Sequence, residues 1–250
     1  MSSELTFALE AAYAAGRSTL AHFGTSFAVE YKADQSPVTI ADRTAESLIR
    51  SAIASRYPTD AILGEEEGET GESSRRWVID PIDGTRSFVA GVPLYATLLS
   101  LEVDGDPQLG VIYFPALEEM FYAERGRGAF RNGRAIRVSP VSRLEDATVL
   151  TGNPKHFLEE PSRTAYETAI SRAQVARNWG DAYGHALVAC GNAHAMIDGI
   201  VAHYDVSSVK VLIEEAGGRF SELTGGTGLG PSALATNGAL HPELLALFNP

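Results

Sequence analysis

Apolar positions recur at helical spacing over residues 3–23, where Leu5, Leu9, Ala12, Gly16, Leu20 and Phe23 share one face and Gly24 follows as a stop. A second stripe, Ala41, Ala45, Leu48, Ile49, Ala52 and Ile53, predicts a helix opening near SPVTIAD, with Ser36 and Pro37 as its start signal and Arg56 to Pro58 as its end. From Ala61 the pattern changes to short β-type runs, AILGE, WVID, YATLLSLEV, LGVIYF and MFYAERG, separated by Gly, Asp and Pro turns. Their close succession without helices predicts an antiparallel sheet. After about residue 145 the runs alternate: ATVL, a helix near 162–172, AQVAR, a helix near 181–190, HAMID, a helix near 205–216, GRFSE and ALATN. Alternation of this kind predicts an α/β second lobe, dividing the chain into residues 1–144 and 145–250.

Composition narrows the function classes. With 44% hydrophobic and 21% charged residues, the 250-residue chain has what a compact fold needs. A net charge of -12 argues against nucleic acid or an anionic membrane surface as partner, because both demand clustered Lys and Arg. The MSSELTFALE start is acidic where a secretory signal is basic, and no apolar run approaches the ~18 residues of a spanning helix, so a cytoplasmic location is expected. Cys190 is the only cysteine, which excludes an intramolecular disulfide and a multi-cysteine zinc site and leaves oxygen as the expected metal donor. The Gly-rich GGTGLG stretch at 225–230 lacks the Lys and Ser or Thr of a P-loop and reads as a surface loop.

Chemistry concentrates in WVIDPIDGTRSF at 77–88, an apolar strand ending in two aspartates, Asp80 and Asp83, followed by Gly-Thr. Asp-Pro and Asp-Gly are also ordinary turn dipeptides, so alone the segment fits a tight turn as well as a metal site. Upstream, Glu65 to Glu67 end another apolar strand, and three adjacent acids repel unless water or a cation screens them. Asp42 and Asp205 open predicted helices, where either alone fits a capping role. Mg²⁺ prefers carboxylates, waters and phosphate oxygens, and a pair of such ions can clamp both oxygens of a displacement, a task that needs several acids.

SPVTIAD, GEEE, DPIDGT and a late YD before a Gly-Gly-terminated helix together resemble the lithium-sensitive inositol monophosphatase superfamily along nearly the whole chain. The resemblance implies an αβαβα layered sandwich, with an antiparallel sheet in the N-terminal half and a mixed sheet in the C-terminal half. It implies Glu65, Asp80, Asp83, Asp205 and the main-chain carbonyl of Ile82 as ligands for two or three Mg²⁺ ions, and Thr85 with Asp42, beside Glu65, as the groups that orient a nucleophilic water. Amides of Gly84 and Thr85 would hold phosphate, a homodimer is implied, and Lys32 matches a lysine that compensates charge locally. The expected activity is hydrolysis of a small phosphorylated metabolite without a covalent intermediate.

Rival readings differ in what they require. Haloacid-dehalogenase phosphatases use a strand-end Asp as nucleophile, but their two aspartates are one residue apart and lie near the N-terminus, whereas two residues separate Asp80 from Asp83 here. A non-catalytic, protein-binding member of the superfamily would show lost ligands, and none is lost. For the substrate, RNWGDAYGHALVACGNAHAMID and FVAGVPLYATLLSL resemble the histidinol-phosphate phosphatase branch, with inositol 1-phosphate as the alternative. Asp181 and Asp198 are expected to meet the substrate's ammonium and imidazole, and Arg177 to assist at the phosphate or brace the loop. Asp181 fits a helix cap equally well. Tyr204 stands where Trp is usual, and Ser207 and Ser208 replace common alanines; His185 and His203 are expected outside the catalytic set.

Overall fold

A computed structural model describes residues 1–25, 29–31 and 37–249. Helix α1, Ser3–Thr19, is capped by the Ser2 hydroxyl, which accepts from the Leu5 amide at 3.0 Å. Two short strands, β1 (Glu30–Tyr31) and β2 (Pro37–Val38), pair before α2, Ile40–Arg56. The start of α2 therefore falls later than the Ser36–Pro37 signal: Pro37 pairs with Tyr31, and Thr39 caps the helix. Ser36 and Lys32 lie outside the described residues. Of the expected apolar stripe on α2, Ala41, Ala45, Ile49 and Ile53 are buried, while Leu48 is exposed.

The first sheet comprises β3 (Ala61–Gly64), β4 (Gly68–Thr70), β5 (Arg75–Asp83), β6 (Ala96–Val103), β7 (Asp106–Phe114), β8 (Glu119–Glu124), β9 (Ala129–Arg131) and β10 (Arg134–Ile136), with a short α3, Thr85–Val89, after β5. Its order is β10-β9-β8-β7-β6-β5-β3-β4, and every neighbouring pair is antiparallel except β3 with β5, which run parallel. The β3–β4 hairpin explains the exception, because the chain must cross back over β3 to begin β5.

The second sheet comprises β11 (Thr148–Thr151), β12 (Val175–Arg177), β13 (Ala195–Asp198), β14 (Arg219–Ser221) and β15 (Ala233–Thr236). Its order is β12-β11-β13-β15-β14, mixed as expected, with β11 parallel to both its neighbours and β15 antiparallel to its own. The helices of this half are α4 (Ser162–Arg172), α5 (Asp181–Ala189), α6 (His203–Glu215) and α7 (His241–Phe248).

Strand alternation sorts the side chains into layers. Trp77, Ile79, Leu99, Leu101 and Val111 face α1 and α2 with Leu5, Ala12, Ile49 and Ile53. Ala96, Leu98, Ile112 and Phe114, from the opposite face, meet α5 and α6 through Ala182, Ala186, Val209 and Leu212, and Met196, Ala233 and Ala235 close this layer from the second sheet. Val149, Ala195, Ile197 and Leu234 face outward onto Ala169 of α4 and Leu244 of α7. The order is therefore α, β, α, β, α, as the resemblance implied. No helix among the described residues is long and apolar enough to cross a membrane.

Candidate active site

The cleft forms where the end of β5 meets the first turns of α5 and α6. In a regular strand, residues three apart point to opposite faces, so Asp80 and Asp83 would diverge. A bulge prevents this: Asp80 pairs with Leu98 and Asp83 with Ala96, which places one extra residue on β5 and returns both aspartates to the face covered by α5 and α6. The Ile82 amide donates to Asp80 Oδ1 at 3.1 Å. The Ala182 amide, in the first turn of α5, donates to Asp83 Oδ2 at 2.7 Å, a helix-terminal donor that favours a carboxylate.

Asp205 sits in the first turn of α6 and accepts from the Ala202 amide at 2.8 Å, as the capping role predicts. Ligand oxygens of Asp80, Asp83 and Asp205 nevertheless all lie within 4.8 Å of one another. Burial holds Asp80 and Asp83 well above the usual carboxylate range; Glu65, Asp83 and Asp205 push Asp80 the same way, and Asp181 and Asp205 push Asp83. Burial raises Asp205 to about 7 against the Ala202 bond, with the charges of Glu65, Asp198 and Asp181 adding to it. Close, buried, hard oxygen donors fit a Mg²⁺-type cation, which would relieve this repulsion.

Glu65 follows β3, and its amide donates to Ile79 O at 3.2 Å, placing its carboxylate beside Asp80. Glu46 of α2, wholly buried, braces this turn: its Oε2 accepts from the Glu66 amide at 2.8 Å and its Oε1 from the Glu67 amide at 3.0 Å and Arg50 Nε at 2.7 Å. Gly64 lies so close to the Glu46 carboxylate that no side chain fits there. Asp42, one turn earlier on α2, uses Oδ2 to accept from the Thr39 amide at 2.8 Å and the Thr39 hydroxyl at 2.6 Å, which is the cap. Its Oδ1 is buried without a protein partner, and burial raises its pKa despite the Thr39 bonds.

Thr85 Oγ1 donates to Ile82 O at 3.0 Å, which commits its single hydroxyl proton and leaves the oxygen free to accept. Gly84 takes φ +78°, and a Cβ there would lie 3.0 Å from Asp181 Oδ2. Asp181, at φ 58°, begins α5 and lines the cleft; burial raises it to about 6, with Asp198 adding and His185 and Arg86 opposing.

The cleft has a volume of about 420 Å³ and is lined by Glu65, Asp80, Ile82, Asp83, Gly84, Thr85, Asp181 and Asp205 from the expected set, together with Arg86, His156, Val201 and Tyr204. Burial, then the charges of Glu65 and Asp205, raise the Tyr204 phenol. Asp198 is set back from the lining: its Oδ2 is 2.9 Å from His185 Nε2, and its Oδ1 packs onto Gly152. Arg177 is not brought to the cleft. It is exposed at the end of the edge strand β12, with Nη1 donating to Ala176 O at 2.8 Å. Arg86 and His156 escaped sequence reasoning. Arg86 directly follows DPIDGT and was readable by adjacency, whereas His156 arrives from a separate loop with no local signal.

Residues 1–250 match the inositol monophosphatase family. A histidinol-phosphatase of Chlorobaculum parvum is 44% identical, with 98% of this chain and 96% of that protein covered. An inositol-1-monophosphatase of Mesorhizobium japonicum is 34% identical, with 98% and 95% covered. Among solved structures, a Thermotoga maritima IMPase superposes with a TM-score of 0.91 at 31% identity, covering 99% of this chain and 97% of that one.

Proposed function

The chain belongs to the inositol monophosphatase family, a family of metal-dependent phosphoric monoester hydrolases, and from that premise we propose that it hydrolyses L-histidinol phosphate to L-histidinol and phosphate with Mg²⁺. In this reading Glu65, Asp80, Asp83, Asp205 and the Ile82 carbonyl hold two or three Mg²⁺ ions. When bound, Mg²⁺ supplies charge neutralisation at the phosphoryl oxygens and lowers the pKa of water.

The remaining work belongs to the chain. Thr85 Oγ1, its proton committed to Ile82 O, accepts a hydrogen bond from the attacking water, Asp42 and Glu65 help orient that water, and Glu65 takes its proton. The Gly84 and Thr85 amides hold the phosphate. Water attacks phosphorus in line, the bond from phosphorus to the ester oxygen breaks, and the departing alkoxide takes a proton from a solvent water to leave as the alcohol. Positioning and charge complementarity supply most of the rate, since the transferred group requires little covalent chemistry from the protein.

The observation that carries the substrate assignment is a further acid in the cleft, next to Asp83 of the metal trio. Asp181 lines the cleft with Asp198 behind, and together they suit the ammonium and imidazole of histidinol phosphate. The greater identity to a histidinol-phosphatase than to an inositol-1-monophosphatase supports the same reading. Inositol 1-phosphate is the second reading, because a carboxylate also binds a diol. The reading includes a cytoplasmic homodimer and a division of the chain at 144/145. Measuring kcat/KM with Mg²⁺ for histidinol phosphate, inositol 1-phosphate, fructose 1,6-bisphosphate and 3′-phosphoadenosine 5′-phosphate tests the assignment. A clear preference for histidinol phosphate is expected; equal or greater turnover of inositol 1-phosphate overturns it.

A further inference from the structure

A second buried polar cluster lies on α6, one turn from Asp205 and outside the cleft. Its centre is Glu102 of β6, wholly buried and the only charged residue in that strand. Glu102 Oε1 is 2.6 Å from His203 Nε2 and accepts from Ser207 Oγ at 2.7 Å. Glu102 Oε2 accepts from Arg76 Nη2 at 2.8 Å and Nε at 3.3 Å, and Arg76 is its direct cross-strand partner on β5. Ser100, two residues back on β6, donates to Ser207 Oγ at 2.7 Å. The carboxylate thus ties two adjacent strands to the start of one helix. Burial alone would raise its pKa, but the bonds from His203, Arg76 and Ser207 prevail and keep it ionised.

His203 and Ser207 are one helical turn apart and share a face of α6. Asp205 lies midway between them in sequence and therefore projects from the opposite side of the same turn, toward Asp80 and Asp83. A few residues on, the α6 backbone reaches the sheet directly: a Cβ on Gly110 of β7 would lie 2.6 Å from Ser208 O and 2.7 Å from Ser208 Cα. The first turns of α6 are thus pinned at Glu102 and pressed close at Gly110, leaving the helix little freedom to roll or slide.

We propose that Glu102, acting through His203 and Ser207 and held by Arg76, is a positioning residue that fixes α6 so that Asp205 stands at cation-binding distance from Asp80 and Asp83. The inference rests on the reading of Asp205 as a metal ligand. It gives a specific task to Ser207, whose hydroxyl has no other evident purpose in a buried helix face. It also explains why a carboxylate is retained in a strand whose other inward positions are apolar or small.

The test is calorimetric titration of the metal-free full-length protein with Mg²⁺, for the wild type, Glu102→Gln, Ser207→Ala and Asp205→Asn. Gln keeps the shape of Glu102 but has one acceptor oxygen for donors on two sides, and Mg²⁺ binding is expected to weaken about tenfold. Ser207→Ala is expected to weaken it in the same direction by a smaller factor, and this variant decides the matter if Glu102→Gln does not fold. In steady-state assays the half-saturating Mg²⁺ concentration should rise, while kcat at saturating Mg²⁺ changes little. A merely structural role would lower the melting midpoint and leave the Mg²⁺ dissociation constant within about twofold of wild type. That result, beside an Asp205→Asn variant that has lost binding, overturns the proposal alone. An Asp205→Asn variant that binds Mg²⁺ normally overturns the metal reading and the proposal together.

Discussion

Asp80, Asp83 and Asp205 approach within 4.8 Å of one another in a buried setting, and in the absence of a cation their mutual repulsion opposes folding. Replacing Asp83 by Asn therefore carries two opposite consequences. Turnover should fall at least ~10²-fold, because an amide cannot replace an anionic ligand in an electrostatically driven transfer. The chelated protein should melt at a higher temperature than chelated wild type, while the stabilisation by added Mg²⁺ shrinks; thermal scans with EDTA and with Mg²⁺ check both signs. Asp80 and Asp83 were readable from sequence because they stand in a compact motif at a strand end, and Asp205 because it opens a strongly patterned helix. Of the two roles expected for Arg177, a phosphate contact is not met, because the edge strand β12 carries the side chain into solvent. Glu46 and Glu102 were invisible for another reason. Each is a lone acid whose meaning depends on what another element brings to it.

Helix α2 carries two duties that the hydrophobic stripe alone does not reveal. Its first turn is fastened by the Thr39 hydroxyl and Asp42, so Thr39→Ala should cost about 1 kcal/mol and disturb the orientation of Asp42 as well. Its second turn presents Glu46 to Arg50 and to the Glu66 and Glu67 amides, and Glu46→Ala takes from a largely buried guanidinium its one buried carboxylate partner, leaving Thr70, the Gly68 carbonyl and the exposed Glu67. A loss of ~2–3 kcal/mol in urea unfolding is expected, with less for Glu46→Gln, which keeps the volume and one acceptor. The long helices and the strands of the first sheet were legible because their apolar periods run for several repeats. Strands β4, β9 and β10 were not, since three residues are too few to show a period. The beginning of α2 was set too early because Pro37 reads as a first-turn proline, although it sits in a short strand.

Across the whole molecule, five alternating layers place the charged cleft in the central helical layer and leave other buried polar groups to be satisfied elsewhere. His241 is such a group in the outer layer, wholly buried, with Nε2 3.0 Å from Ser221 Oγ and Nδ1 3.1 Å from Thr236 Oγ1. Burial, then the charge of Arg219, push its pKa down to about 4. Because the unfolded imidazole protonates first, its contribution is complete above pH ~6.5 and is lost as pH falls toward 4, in total up to roughly 3 kcal/mol. Comparing denaturant unfolding of wild type and His241→Gln from pH 7 to 4 isolates it, the variant showing the shallower decline. The layer order was legible from the alternation of helices and strands, but the parallel β3–β5 pairing was not, because it depends on a crossing that leaves no periodic trace. One contact joins these scales: Asp83, from the first half of the chain, takes its hydrogen bond from Ala182 in the second. A polypeptide cut near residue 144 would leave neither fragment with a complete set of cation-binding oxygens. Divalent ions would then act as a molecular glue, rewarding only those encounters in which the severed pieces reunite in the native arrangement.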